Sequence, residues 1–105
     1  VSQSINITSV QHHLLRDLLN KFLPNVQVWA FGSRVKGHSR PDSDLDIVVF
    51  STPEQSAATY ALKEALDESS LPFSVDVLVW NDISESFRNN ISAMYFVLNG
   101  SNCTQ

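Results

Sequence analysis

The sequence predicts an α/β fold: helices flanking a small mixed sheet of three strands (or slightly more), in the order α-β-β-α-β-α. Three observations carry this reading. Three stretches repeat apolar residues at helical spacing and open on capping residues. Three short apolar runs, Val26 to Phe31, Leu45 to Phe50 and Phe73 to Trp80, read as strands. The two kinds of segment alternate along the chain, which favours helices layered on a sheet.

Each element has its own justification. Thr8 can cap the first helix, with Gln11 three residues on to complete a capping box. Val10, Leu14, Leu18 and Phe22 recur every four residues, with Leu15, Leu19 and Leu23 beside them, giving a broad apolar face. Pro24 and Asn25 stop it. Val26 to Phe31 reads as a strand apolar on both sides, broken by Gly32. Leu45 to Phe50 is a second such strand, expected to be internal. Thr52, Pro53 and Gln55 form the start of another helix, with Pro at the first helical position. Ala58, Leu62, Ala65 and Leu66 are its inner face. Phe73 to Trp80 is the third strand. A last helix is expected from Asp82 and Glu85, with Phe87, Ile91, Met94, Tyr95 and Leu98 on one face and Gly100 at its end.

The bounds are ordinary. A chain of 105 residues with 43% apolar content is expected to be one domain over residues 1–105, with a core at about 8–100 and a polar tail at 101–105. A net charge of −4 argues against a nucleic-acid coat and against a generic membrane-surface binder, and no apolar run is long enough to span a bilayer. The first residues show no basic and apolar leader pattern, and Cys103 has no partner for a disulfide. A cytoplasmic setting is therefore expected, in which the sequons at Asn6, Asn90, Asn99 and Asn102 are chance matches.

The informative stretch is "WAFGSRVKGHSRPDSDLDIVVF", Trp29 to Phe50. A buried strand should open with apolar residues, yet this one opens with Asp44 and Asp46. Residues two apart in a strand point the same way, so the two carboxylates project together while Leu45 and Ile47 point to the core. Like charges about 5 Å apart repel by roughly 3 kcal/mol at an effective dielectric near 20. A divalent cation reverses the sign of that term, and oxygen-only ligands suit Mg²⁺, or Mn²⁺ in its place. Asp76 lies inside the third strand, where a carboxylate is costly unless paired, solvated or metal-bound. If the third strand neighbours the second, Asp76 joins Asp44 and Asp46, the three carboxylates a two-metal phosphoryl-transfer site requires.

Ser33 follows the first strand and Asp44 begins the second, so these ends meet if the two strands are antiparallel. Gly32 lets the backbone approach a ligand closely, and Ser33 offers a hydroxyl and an N–H to a phosphate. Arg34, Lys36, His38 and Arg40 crowd the connection, and a polyphosphate fits between such cations and metal-bearing carboxylates. The spacing of "GSRVKG" is not that of a P-loop.

Gly32-Ser33, ten residues, then Asp44-x-Asp46, and a lone Asp76 in a later strand resemble the nucleotidyltransferase superfamily that includes DNA polymerase beta. With "VWAFGSRVKG", "SDLDIVVF", "SVDVLVW" and "SESFR", the chain is most similar to the minimal nucleotidyltransferases, the MNT-domain proteins of HEPN/MNT toxin-antitoxin pairs. The resemblance implies a nucleotidyltransferase fold. It implies that Gly32 and Ser33 hold the nucleotide phosphates, with Arg34 and Lys36 added here on charge, and that Asp44 and Asp46 bind the metal. Asp76 would complete the metal site and help deprotonate the attacking hydroxyl. It further implies transfer of AMP from ATP onto a tyrosine of a small helical HEPN-like protein encoded beside it. Larger relatives carry an acceptor-holding domain that has no counterpart in this sequence, so a partner or a second copy of the chain is expected to supply it. The apolar cluster Met94–Val97 points to the same packing between subunits or against a partner. The other reading is a nucleotide-binding subunit that neutralises a helical partner by contact, without turnover.

Overall fold

The computed structural model describes residues 4–37, 40 and 43–99. His38, Gly100, Asn102 and Cys103, named above, fall outside them. The elements in chain order are α1 (Ser9–Phe22), β1 (Val28–Phe31), a one-turn α2 (Ser33–Lys36), β2 (Leu45–Val49), α3 (Ser56–Asp67), β3 (Val75–Val79), α4 (Glu85–Ala93) and β4 (Phe96–Asn99). Short 3₁₀ turns at Pro53–Gln55 and Trp80–Asp82 lead into α3 and towards α4. No helix among the described residues is long and apolar enough to cross a membrane.

The expected α-β-β-α-β-α order is present, with α2 and β4 added to it. The four strands lie in the order β3-β2-β1-β4. β1 runs antiparallel to β2 and to β4, and β2 runs parallel to β3. The β2–α3–β3 stretch is thus a crossover unit, since a parallel pair needs a long connection.

Local chemistry explains the helix ends. The Thr8 hydroxyl accepts from the Gln11 N–H at 3.1 Å, and Gln11 Oε1 accepts from the Thr8 N–H at 2.9 Å. These bonds satisfy donors that an α-helix leaves open at its start. Gln55 Oε1 accepts from the Thr52 N–H at 2.8 Å in the same way. Asn25, with φ of 66°, turns the chain after α1.

The last helix departs from expectation at both ends. Its cap is Ser84, whose hydroxyl accepts from the Phe87 N–H at 3.2 Å, while Asp82 belongs to the preceding turn. It stops at Ala93, and Phe96–Asn99 form a strand on the edge of β1. Aromatic and β-branched residues favour that conformation, and the β1 edge would otherwise present unpaired backbone groups. The cluster read as excess apolar surface is used inside the chain: Tyr95 stacks on Trp29 at 3.8 Å, and Leu98 is buried. Of that cluster and its flank, Met94 stays open.

The main core lies between one sheet face and the helices α1 and α3. Leu15, Leu19, Leu62 and Leu66 meet Val28, Ala30, Leu45, Ile47, Val49 and Val77. Alternation sends Trp29, Phe31, Asp46 and Asp76 to the other face. There Trp29, Phe50, Trp80 and Tyr95 form an aromatic cluster, with Phe50 stacked on Trp80 at 4.7 Å. The buried Trp29 Nε1 has no hydrogen-bond partner among the described residues, a cost of about 1–3 kcal/mol that the ring packing must offset.

Arg34 holds the segment between β1 and β2. It is buried, and its guanidinium donates to the carbonyls of Asn6 (2.7 Å), Ser43 (3.0 and 2.9 Å) and Arg40 (3.3 Å). The Phe73 ring lies 4.1 Å beneath it. A planar, always-charged fork is the side chain suited to several carbonyls and an aromatic face at once. The Asn6 N–H donates back to the Arg34 carbonyl at 2.8 Å, so the chain ahead of α1 is tied in as well.

Two stability predictions follow from this packing. Val10, expected on the inner face of α1, is 78% exposed, whereas Leu19 is fully buried. Leu19→Ala should lower unfolding free energy by about 2–5 kcal/mol and Val10→Ala by no more than about 0.5 kcal/mol, read by urea denaturation. Equal effects would place α1 in the wrong rotation. Arg34→Met should cost about 2–4 kcal/mol by leaving buried carbonyls without a donor, and Arg34→Lys should restore only part of it. A neutral Arg34→Met variant would remove the fastening role.

Candidate active site

The site is set by strand register. The antiparallel β1–β2 pair puts Phe31 opposite Asp46, so Gly32 comes out beside that carboxylate. The parallel β2–β3 pair puts Asp76 directly beside Asp46. Adjacent strands lie about 4.8 Å apart, so two acidic side chains on one face at one register position are held within contact of each other. Asp44 sits just ahead of β2, two residues before Asp46 and exposed.

The electrostatic consequence falls on Asp46. Its carboxyl is pushed up from 3.8 to about 6. Burial is the largest cause, followed by the charges of Asp76 and Asp44 and a side-chain hydrogen bond with Asp76. Without a cation, ionising Asp46 costs more than ionising an ordinary aspartate. Negative charge is concentrated here with no compensating ion pair among the described residues, and the oxygens offered by Asp44, Asp46 and Asp76 are those of carboxylates. That set fits a hard divalent cation such as Mg²⁺. Among the described residues, no three His, Cys, Asp or Glu side chains are gathered tightly enough to be a ready metal cage.

Gly32 is required at its position on two counts. Its φ of 85° and ψ of −156° lie in a region open to glycine alone. A Cβ there would also collide with Oδ2 of Asp46, with Cγ at 3.4 Å. The bare backbone is what lets the turn lie against the carboxylate. The Gly32 carbonyl accepts from the Val35 and Lys36 N–H groups at 3.0 Å each, which closes α2. Ser33 is half-buried at the start of that turn, and Lys36 is exposed at its end.

The residues singled out from sequence are thus divided by the fold. Gly32 lies against Asp46, which stands beside Asp76, while Ser33 follows as the first residue of α2 and Asp44 and Lys36 are exposed nearby in sequence. Arg34 does not stand free for a ligand: three of its nitrogens donate to backbone carbonyls. Its geometry speaks for a positioning role, through Ser43 on the residue next to Asp44 and through Phe73 on the entry to β3. Arg40 is exposed in the turn that Arg34 anchors.

Sequence reasoning did not associate α4 with the site. Phe87, Asn90 and Met94 line a groove with Phe31, Gly32 and Lys36. Phe87 and Met94 are expected from the sequence on a core face with Ile91, Tyr95 and Leu98, but within α4 only Ile91 is buried. The signal was present: a polar Asn90 interrupts the stripe, and α4 carries few apolar residues for a helix that covers a sheet.

Comparison with known proteins agrees with this geometry. The sequence model of the nucleotidyltransferase domain matches residues 13–99. The chain is 42% identical over 95 residues to the probable protein adenylyltransferase MntA of Haemophilus influenzae, covering 90% of this chain and 83% of that protein. Its backbone is similar to a crystal structure of a toxin-antitoxin with AMP-PNP, with a TM-score of 0.67 at 21% identity, over 90% of this chain and 76% of that one. It is similar as well to the MNT–HEPN structure of Shewanella oneidensis in which the HEPN toxin is tri-AMPylated, with a TM-score of 0.63 at 19% identity, over 90% and 74%. At such identities the two solved structures speak for the fold. With the match extending from α1 through β4 and taking in every strand that shapes the carboxylate site, the chain belongs to the nucleotidyltransferase domain family.

Proposed function

We propose that the protein moves AMP from ATP to a hydroxyl of a small helical HEPN-like protein, in an antitoxin role. The observation that carries this is the line Gly32–Asp46–Asp76: a glycine turn against two carboxylates that strain one another. The name of the Haemophilus relative and the HEPN-bound neighbours support the choice of acceptor.

In this reading Asp44, Asp46 and Asp76 hold Mg²⁺, or Mn²⁺ in its place. When bound, the cation supplies positive charge to the phosphate oxygens and removes the carboxylate repulsion. The open backbone at Gly32 admits the triphosphate close to Asp46. The Ser33 hydroxyl and N–H donate to a phosphate oxygen, and Lys36 offsets charge from the solvent side. Asp76, exposed on the edge strand β3, faces an incoming acceptor and takes its hydroxyl proton. The acceptor oxygen bonds to the α-phosphorus as the bond to the β-phosphate oxygen breaks, and pyrophosphate leaves. The chain's task is mainly to align these groups.

With ATP labelled at the α-phosphate, Mg²⁺ and the helical protein encoded beside it, label should move to the partner. Asp46→Asn and Asp76→Asn should each slow that transfer by about 100-fold or more. If a complex forms while label never leaves the nucleotide, the contact-only reading replaces this one.

The raised Asp46 carboxyl gives a pH test that needs no partner. Below pH 3.8 it is protonated in folded and unfolded chains alike and has no effect on stability. Between about 4 and 6 the unfolded chain ionises first, so this group lowers stability as pH rises, and the penalty is complete above about 6. Asp76→Asn removes the neighbouring charge and should lower the Asp46 midpoint and flatten that slope, read by carboxyl NMR titration and by urea denaturation across the window. A midpoint near 3.8 in the unmodified protein would contradict the carboxylate pairing.

A further inference from the structure

A groove lies between α4 and the β1–α2 turn, and its α4 side has no role in the transfer step just described. It encloses about 520 Å³, within the roughly 300–1,000 Å³ of small-molecule sites. Ile91 is buried at its base, while Phe87 and Met94 are left 39% and 42% exposed on its sides. Phe87 meets Phe31 edge to face at 5.8 Å, so ring area remains open to a ligand. Asn90 is the amide among these apolar groups, and Lys36 stands in the same lining as Gly32. Gly32 also lies against Asp46, so one residue borders both the groove and that carboxylate.

We propose that this groove seats the nucleobase and ribose of the nucleoside triphosphate, with Phe87 stacking on the base and Asn90 meeting its edge. The proposal rests on the nucleotidyltransferase reading of the neighbouring carboxylates. A flat π system suits aromatic and thioether side chains, and stacking on an aromatic ring tolerates any base. An Asn amide pairs one donor and one acceptor with the adenine amino and ring nitrogens, which favours adenine over guanine. The charge at the Gly32 end argues for a nucleotide over an acceptor side chain: Lys36 complements a phosphate chain attached to the base, and an acceptor hydroxyl brings no such charge. Phe87 and Asn90 on α4 and Met94 just after it are binding residues in this assignment, apart from the segments that carry Asp44, Asp46 and Asp76.

Calorimetric titration of the full chain with ATP, GTP and inorganic tripolyphosphate in Mg²⁺ tests it. The unmodified protein should bind ATP more tightly than tripolyphosphate. Phe87→Ala should weaken ATP by about tenfold and leave tripolyphosphate unchanged, and Phe87→Trp should retain ATP affinity within about twofold. Asn90→Ala should narrow the preference for ATP over GTP. If circular dichroism shows Phe87→Ala unfolded, Met94→Ala takes its place, with an expected loss of about threefold. Four results overturn the assignment: ATP affinity untouched in a folded groove variant, an equal loss for tripolyphosphate, an ATP-to-GTP ratio indifferent to Asn90, or an acceptor KM that rises while ATP affinity holds. Tripolyphosphate bound as tightly as ATP removes the base site and spares the transferase reading. Failure of the unmodified protein to bind either ligand removes both.

Discussion

Two carboxylates at one register position of a parallel strand pair are the constraint around which this molecule is organised. Asp46 and Asp76 cannot separate without breaking the β2–β3 ladder, because each is flanked by buried apolar residues that fix the facing of its strand. Slipping either strand by one residue would turn Leu45, Ile47 and Val49, or Val77, out of the core. The main hydrophobic core therefore enforces an electrostatic conflict on the opposite face. Burial and the neighbouring charges hold Asp46 at about 6, far from an ordinary aspartate. A fold that needed only stability would have no use for such an arrangement, and a site that attracts a dication and a polyphosphate would.

The same sheet has one protected face and one working face. α1 and α3 cover the first. The second is closed by aromatic rings at the Trp29–Trp80 end and left open near Gly32, where α4 stands off as one wall of a groove. Rigidity and access are separated along β1 itself. Trp29 is locked between Tyr95, Phe50 and Trp80, whereas Phe31, two residues on and facing the same way, meets only the half-open ring of Phe87 among these aromatic contacts. Arg34 extends this division into the connecting segment. By gripping the carbonyls of Asn6, Arg40 and Ser43 it brings fold-level stability to within one residue of Asp44, yet leaves Asp44 itself exposed. Lys36, two residues after Arg34 on the same short turn, remains the solvent-facing cation.

Much of this was legible in the chain. The capping boxes at Thr8 and Thr52 are local, four-residue signals; α1 begins at the first, and the second caps the 3₁₀ turn that leads into α3. The facing of Asp46 and Asp76 follows from the two-residue period of strands. What was misread depended on partners distant in sequence. Tyr95 and Phe96 match a helical face as well as a strand, and only the vacant edge of β1 decides between them. Arg34 in a basic loop looks like a phosphate ligand until the chain ahead of α1 and Phe73 close over it. Val10 satisfies the spacing of the α1 stripe, but the fold leaves it exposed.

The sequence by itself determined which groups are available and which way each faces on its own element, because backbone periodicity and capping are properties of a few adjacent residues. It determined the alternation of helix and strand and the pairing of glycine turn with aspartates that marks the family. Only the tertiary structure decided which elements are neighbours: β2 between β1 and β3, β4 on the far edge, α4 beside Gly32. Neighbourhood is set by burial of the whole apolar surface at once, and no local stretch encodes it. The strained carboxyl of Asp46, the fastening grip of Arg34 and the groove along α4 all arise at contacts between segments, and so they exist only in the folded chain.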